Sequence, residues 1–205
     1  VVNVHHFADM IEEWVSAQDI LPMEVSDERE QLLETGGGVL NAKPYLEGCG
    51  QFLIHNVDII SDLDIRWMAS RARRNAMATL LVSDRVTSRY LLFDPDTMRL
   101  KGWTNVVTGE VRSPYPELDV TQCRRLAFSG IHIMSDTVFA ALEDFVSRQG
   151  LDPEHPRFPI MDFYLSACAL YEIYGVEADG LHLVDVGKLD TLEIAEKEIS
   201  RVSQN

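Results

Sequence analysis

Cysteine, positive charge and long apolar runs are scarce in this sequence, and each shortage excludes a class of protein. Its three cysteines, Cys49, Cys123 and Cys168, are odd in number and spaced for neither a disulfide framework nor a zinc site, so reduced thiols and a cytoplasmic setting are expected. Eighteen Lys and Arg stand against 33 Asp and Glu, a formal net charge of −15. Nucleic-acid binders draw much of their affinity from basic side chains on phosphates, so no nucleic-acid partner is expected. No apolar run approaches the roughly 20 residues that span a bilayer, and no membrane partner is expected either. Without repeats, low-complexity tracts or linkers, the 205 residues suit a single domain, 1–205.

The most informative stretch runs from Leu33 to Asp64, LETGGGVLNAKPYLEGCGQFLIHNVDIISDLD. Three glycines open a short helix. Gly48 and Gly50 hand over to an apolar strand that ends at Asn56, Val57 and Asp58. In open α/β sheets ligands bind outside the carboxyl ends of parallel strands, which suits Asp58 to hold something. Glycines without Cβ let a backbone approach a flat ligand edge, although close packing would also explain them. Together these features suggest a pocket for a nucleotide and its metal. An acidic protein binds such anions only where the site is locally positive, through a divalent cation, backbone N–H groups or a few basic side chains.

Val1–His5 reads as a strand, and 6–19 as a helix turning Phe7, Met10, Ile11, Trp14 and Val15 onto a sheet. His5 and His6 suit structural or capping roles. Ile20–Val25 reads as a short strand broken by Pro22, and Ser26–Gln31 as a polar turn. A helix is expected over Asp62–Asn75 with its arginines outward, then a buried strand over Met77–Asp84 and a hairpin around Asp94-Pro95-Asp96. Arg125–Met134 reads as a strand with Gly130 inside it, where a glycine implies that something approaches closely. Helices are expected over Ser135–Gly150, with Ser135 as N-cap, over Phe163–Tyr174 and over Lys188–Val202. In the last apolar run, Leu181–Val186, Asp185 would be a costly buried carboxylate unless paired or holding a metal.

ETGGGVLNAKPYL followed by FLIHNVDIISDLD, then LAFSGIHIM and HLVDVGKLDTLEIAE in the same order, resembles the sugar-1-phosphate nucleotidyltransferases, most closely the short bacterial mannose-1-phosphate guanylyltransferases and N-acetylmuramate-1-phosphate uridylyltransferases. The resemblance implies an α/β fold, a Rossmann-like, mixed and mainly parallel sheet flanked by helices. It implies Mg²⁺ as cofactor, a nucleoside triphosphate and a sugar 1-phosphate as substrates, and an NDP-sugar and pyrophosphate as products. Asp58 and Asp185 match the catalytic metal positions. Glu34, Thr35, Gly36 and Gly37 match the nucleotide side, with Glu34 equally suited to capping the helix. Asn56, Asn105 and Gly130 match the sugar-phosphate side. Asn105 stands roughly where many relatives carry a Glu-Lys-Pro grip and is read as bonding a sugar hydroxyl, with a turn-stabilising role as the alternative. The family's glycine-rich turn with its Arg and Pro-Lys is absent, so a first strand and helix are expected upstream of Val1, and a chain starting at Val1 is expected to be inactive and poorly stable.

Two rivals share part of this pattern: a catalytically incomplete sugar-nucleotide-binding module, and a Mg²⁺- or Mn²⁺-dependent glycosyltransferase. The second would use an Asp-x-Asp at a strand end. Asp62-Leu63-Asp64 has that spacing but reads as the start of a helix.

Overall fold

A computed structural model describes residues 1–178 and 180–187. Its elements are β1 (Val2–Val4), α1 (Ala8–Ala17), β2 (Val25–Asp27), α2 (Glu34–Asn41), α3 (Lys43–Leu46), β3 (Gln51–His55), β4 (Ile59–Ser61), α4 (Ile65–Arg71), β5 (Ala78–Ser83), β6 (Arg89–Phe93), β7 (Leu100–Asn105), β8 (Val111–Arg112), β9 (Arg124–Ser135), α5 (Val138–Gln149), α6 (Ile160–Ala167), β10 (Ile173–Glu177) and β11 (Leu183–Asp185). The helix expected over Lys188–Val202 lies outside the described residues. Two units emerge, one of residues 1–50 and 136–166, the other of residues 51–135 and 167 onward.

The second unit is built on β9, whose Leu126, Ala127, Ile131, Ile133 and Met134 are buried. The sheet runs β10-β5-β9-β6-β7-β8, with β3 also paired to β9. It is mixed, as the resemblance implied, but its parallel pairing is confined to β10 beside β5; the other pairings described in it are antiparallel. The expected majority of parallel neighbours gives way because β6, β7 and β8 follow one another through short turns, and short turns join only antiparallel strands. The hairpin around Asp94-Pro95-Asp96 forms as expected, with the Asp94 carboxylate accepting from Thr97 N at 2.9 Å. Residues 173–174 are strand, not the end of a helix. Ile173 and Tyr174 are buried, paired with Ala78 and Thr79, so sheet completion overrides a helix-compatible pattern.

On this sheet α4 packs Met68 against Leu81, Ile131 and Ile133. The helix is shorter than expected because Asp64 caps it, its carboxylate accepting from Arg66 N at 2.8 Å, and it ends at Ala72. Beyond its end, Arg73 stacks on the Tyr174 ring at 3.7 Å. An antiparallel ribbon of β4 and β11 completes the unit.

The first unit pairs β1 and β2 in parallel. The strand is thus Val25–Asp27, not Ile20–Val25: Ile20 and Leu21 are exposed, while Ser26 and Glu28 are buried in a polar network that periodicity does not register. Helix α1 forms, but Phe7, Met10 and Trp14 are exposed rather than turned onto a sheet. Helix α5 buries Val138, Phe139, Leu142, Phe145 and Val146. Phe145 meets the rings of Phe158 and Phe163 at centroid distances of 5.0 and 5.8 Å. Its N-cap is Thr137, not Ser135, which belongs to β9. Gly150 ends α5 at φ 65°, the left-handed cap that glycine takes without strain.

Candidate active site

Asp58 lies in the turn between β3 and β4, and Asp185 ends β11. Pairing of Ile59 with Asp185 in the ribbon, extended by Val186 N donating to the Asp58 carbonyl at 2.8 Å, sets the two acids side by side. Both face Gly187. A Cβ built there would stand 2.9 Å from Asp58 Oδ2 and 3.3 Å from Asp185 Oδ1. Gly187 N also donates to Asp185 Oδ1 at 3.1 Å. Asp185 is exposed and Asp58 half-buried, which corrects the expectation of a buried Asp185. Neither acid therefore carries a large desolvation penalty.

This arrangement fits a hard divalent cation. The donors are carboxylate oxygens, and the missing side chain at Gly187 leaves room between them. Among the described residues no cluster of three or more His, Cys, Asp or Glu is placed to hold a metal. Two protein oxygens with the rest from water and substrate suit Mg²⁺ better than a closed protein cage would. Sequence reading singled out both acids but missed Gly187, whose signal was the glycine two residues after Asp185.

Gly130 sits in a bulge. Between Leu80↔His132 and Val82↔Phe128 the register shifts, so two steps on β5 oppose four on β9, and Gly130 takes φ 74° there. Its carbonyl accepts from Asn56 N at 3.1 Å, and a Cβ on it would come within 3.0 Å of Asn56 Nδ2. The close approach expected at this glycine is thus made by Asn56. Asn105 ends β7 opposite Arg89, and its side-chain oxygen accepts from Val107 N at 2.9 Å and Thr108 N at 3.3 Å, the turn-stabilising role.

In the first unit α2 begins at Glu34. Gly36 N and Gly37 N both donate to the Phe158 carbonyl, at 2.9 and 3.2 Å. A Cβ on Gly36 would meet the Phe158 ring at 2.3 Å, and one on Gly37 the Pro156 carbonyl at 1.9 Å. The glycines therefore admit the 156–158 segment, the packing role weighed from sequence. Thr35 is exposed and its Oγ1 accepts from Ile160 N at 2.9 Å. Glu34 pairs with Arg157, Nε to Oε1 at 3.0 Å, a partner that sequence reading did not find.

Asp62 and Asp64 are committed elsewhere: Asp62 Oδ1 accepts from His182 N at 2.9 Å, and Asp64 caps α4. Cys168 is buried, and burial pushes its thiol up to about 11, too high for a reactive thiolate.

Over 64 residues the chain is 44% identical to N-acetylmuramate alpha-1-phosphate uridylyltransferase of Caulobacter vibrioides, a match that covers 29% of this chain and 26% of that protein. Among solved structures, the inositol-1-phosphate CTP transferase from T. maritima matches with a TM-score of 0.70 at 12% identity, covering 100% of this chain and 77% of that one. HddC from Yersinia pseudotuberculosis matches with a TM-score of 0.67 at 16% identity, covering 96% and 76%. The chain resembles the sugar-1-phosphate nucleotidyltransferases and has their fold. The sequence likeness is confined to a stretch about a quarter of the curated relative's length, whereas the likeness of fold runs through nearly the whole chain. No family model matches the chain. Among the described residues no helix is long and apolar enough to cross a membrane.

Proposed function

We propose that the chain is the catalytic domain of a nucleotidyltransferase that joins a sugar 1-phosphate to a nucleoside triphosphate. The observation that carries this reading is the convergence of Asp58 and Asp185 on Gly187, and the name of the curated relative supports it. An oxygen of the sugar phosphate attacks the α-phosphorus in line, the α–β phosphoanhydride bond breaks, and pyrophosphate leaves. Such transfers ask for positioning and charge compensation rather than a covalent nucleophile. Asp58 and Asp185 would hold the Mg²⁺, which when bound supplies positive charge to crowded phosphate oxygens.

The ribbon's backbone pairing sets the spacing of the two acids before any ligand arrives. Gly130 and Asn56, held together at the bulge, take the sugar-phosphate side. Glu34 and Thr35 at the start of α2 take the nucleotide side, where Thr35 presents its surface to solvent, while Gly36 and Gly37, matched to that side in the sequence, serve it by packing α2 against the 156–158 segment.

The test is pyrophosphate release from a panel of nucleoside triphosphates and sugar 1-phosphates with Mg²⁺. One pair should turn over in wild type and stall in Asp58→Asn and in Asp185→Asn. Undiminished release from either variant would remove the assignment. An NDP-sugar consumed with transfer of its sugar to an acceptor would mark a glycosyltransferase instead.

A further inference from the structure

Glu28 follows β2 and is 7% exposed. A buried carboxylate ordinarily draws a cation, yet among the described residues no Lys or Arg pairs with it; the neighbouring Arg29 reaches Asp9, Glu12 and Asp27 instead. The Glu28 carboxylate is answered by neutral donors. Oε1 accepts from Asn3 Nδ2 at 2.6 Å, and Oε2 from Leu33 N at 3.2 Å, the N–H just before α2. A Cβ on Gly38 would come within 2.7 Å of Oε1, so the third glycine of the run makes room for this carboxylate.

Asn3 cannot turn its amide over, because Nδ2 also donates to the Gly38 carbonyl at 2.9 Å. Both groups facing Glu28 are therefore donors. A carboxylate only accepts and satisfies both, whereas a glutamine would set its NH₂ against one of them. The requirement is for Glu and not merely for a polar side chain of that size.

We propose that Glu28 is a positioning residue for the nucleotide side, its carboxylate fixing the first turn of α2 by clamping Leu33 N and Asn3 together. The proposal rests on the reading of α2 as the nucleotide side given above. Glu28 itself touches no reactant.

Two variants of the full chain test it. Glu28→Gln keeps size and loses the acceptor match; Gly38→Ala leaves the carboxylate but takes its space. Each should raise the KM for the nucleoside triphosphate about tenfold, the loss of one buried charge-assisted hydrogen bond, while kcat and the KM for the sugar 1-phosphate change less than about twofold. Amide exchange at Leu33 and Gly36–Gly38 should quicken, with the exchange of β9 unchanged. Unchanged exchange at α2, or equal rises in both KM values, would overturn the proposal. If wild type releases no pyrophosphate with any substrate pair, the proposed function fails on its own account, and the exchange at α2 still decides whether Glu28 holds that turn.

Discussion

Val186 donates its backbone N–H to the carbonyl of Asp58 at 2.8 Å. That bond ties the turn after β3 to the end of β11, so the spacing of the Asp58 and Asp185 side chains is inherited from main-chain pairing. Replacing either carboxylate should leave the spacing intact. Asp58→Asn and Asp185→Asn should each keep the thermal midpoint within a few degrees of wild type, since neither acid is buried. Turnover with Mg²⁺ should fall at least about a hundredfold, given that a catalytic metal contributes several kcal/mol of charge stabilisation. Pyrophosphate release and a melting curve on the same samples check both halves.

Gly187→Ala is the complementary change. It removes no ligand and places a methyl group 2.9 Å from Asp58 Oδ2 and 3.3 Å from Asp185 Oδ1. One carboxylate must swing away. The Mg²⁺ concentration for half-maximal rate should rise severalfold with little loss of stability, as a magnesium titration will read.

Gly37→Val tests the packing role of the glycine run. The new Cβ would stand 1.9 Å from the Pro156 carbonyl, a main-chain atom that cannot rotate away. Overpacking of this kind costs about 3 kcal/mol, and urea titration should show it as an earlier transition. A protein as stable as wild type with weakened nucleotide binding would instead return the glycine to ligand contact.

His132 predicts a pH dependence. It is buried on β9, and burial alone holds its pKa down to about 3, against 6.5 ordinarily. The folded protein keeps the ring neutral while the unfolded chain takes up a proton below pH 6.5. Stability is therefore fully present above that pH and falls as pH drops from 6.5 toward 3. At pH 5 the loss relative to pH 7 should be about 2 kcal/mol, and the urea midpoint of wild type should fall further between pH 7 and pH 5 than that of His132→Phe, which has no imidazole to protonate.

Elements with their own local chemistry were legible in the sequence. The Asp94-Pro95-Asp96 turn and the helix end at Gly150 each announce themselves within a few residues, and each is where it was expected, whereas the Asp64 cap starts its helix later than the expected Asp62. Elements that exist through distant pairing were not. The segment at Ile173 reads as helix until β5 is beside it, and Val25–Asp27 is too polar to look like a strand until β1 pairs with it and the Asn3–Glu28 network covers it. The candidate site divides the same way. Asp58 and Asp185 were visible as acids beside apolar runs, but that Gly187 faces Asp58 as well as Asp185, and that Arg157 pairs with Glu34, comes from segments more than a hundred positions apart meeting in the fold. The burial expected of Asp185 failed because β11 lies in a two-stranded ribbon, not in the sheet.

The three tryptophans are distributed so that each unit carries its own optical label. Trp14 lies on the open face of α1, 61% exposed, in the first unit, whereas Trp67 and Trp103, both half-buried, lie in the second. An indole in water emits at longer wavelength and is reached by a dissolved quencher. The quenchable, red-edge part of the fluorescence thus reports Trp14, and its absence in Trp14→Phe gives the blank. Following the two parts of the spectrum through one denaturant series reads whether the units melt together or one after the other, with no dye or tag added.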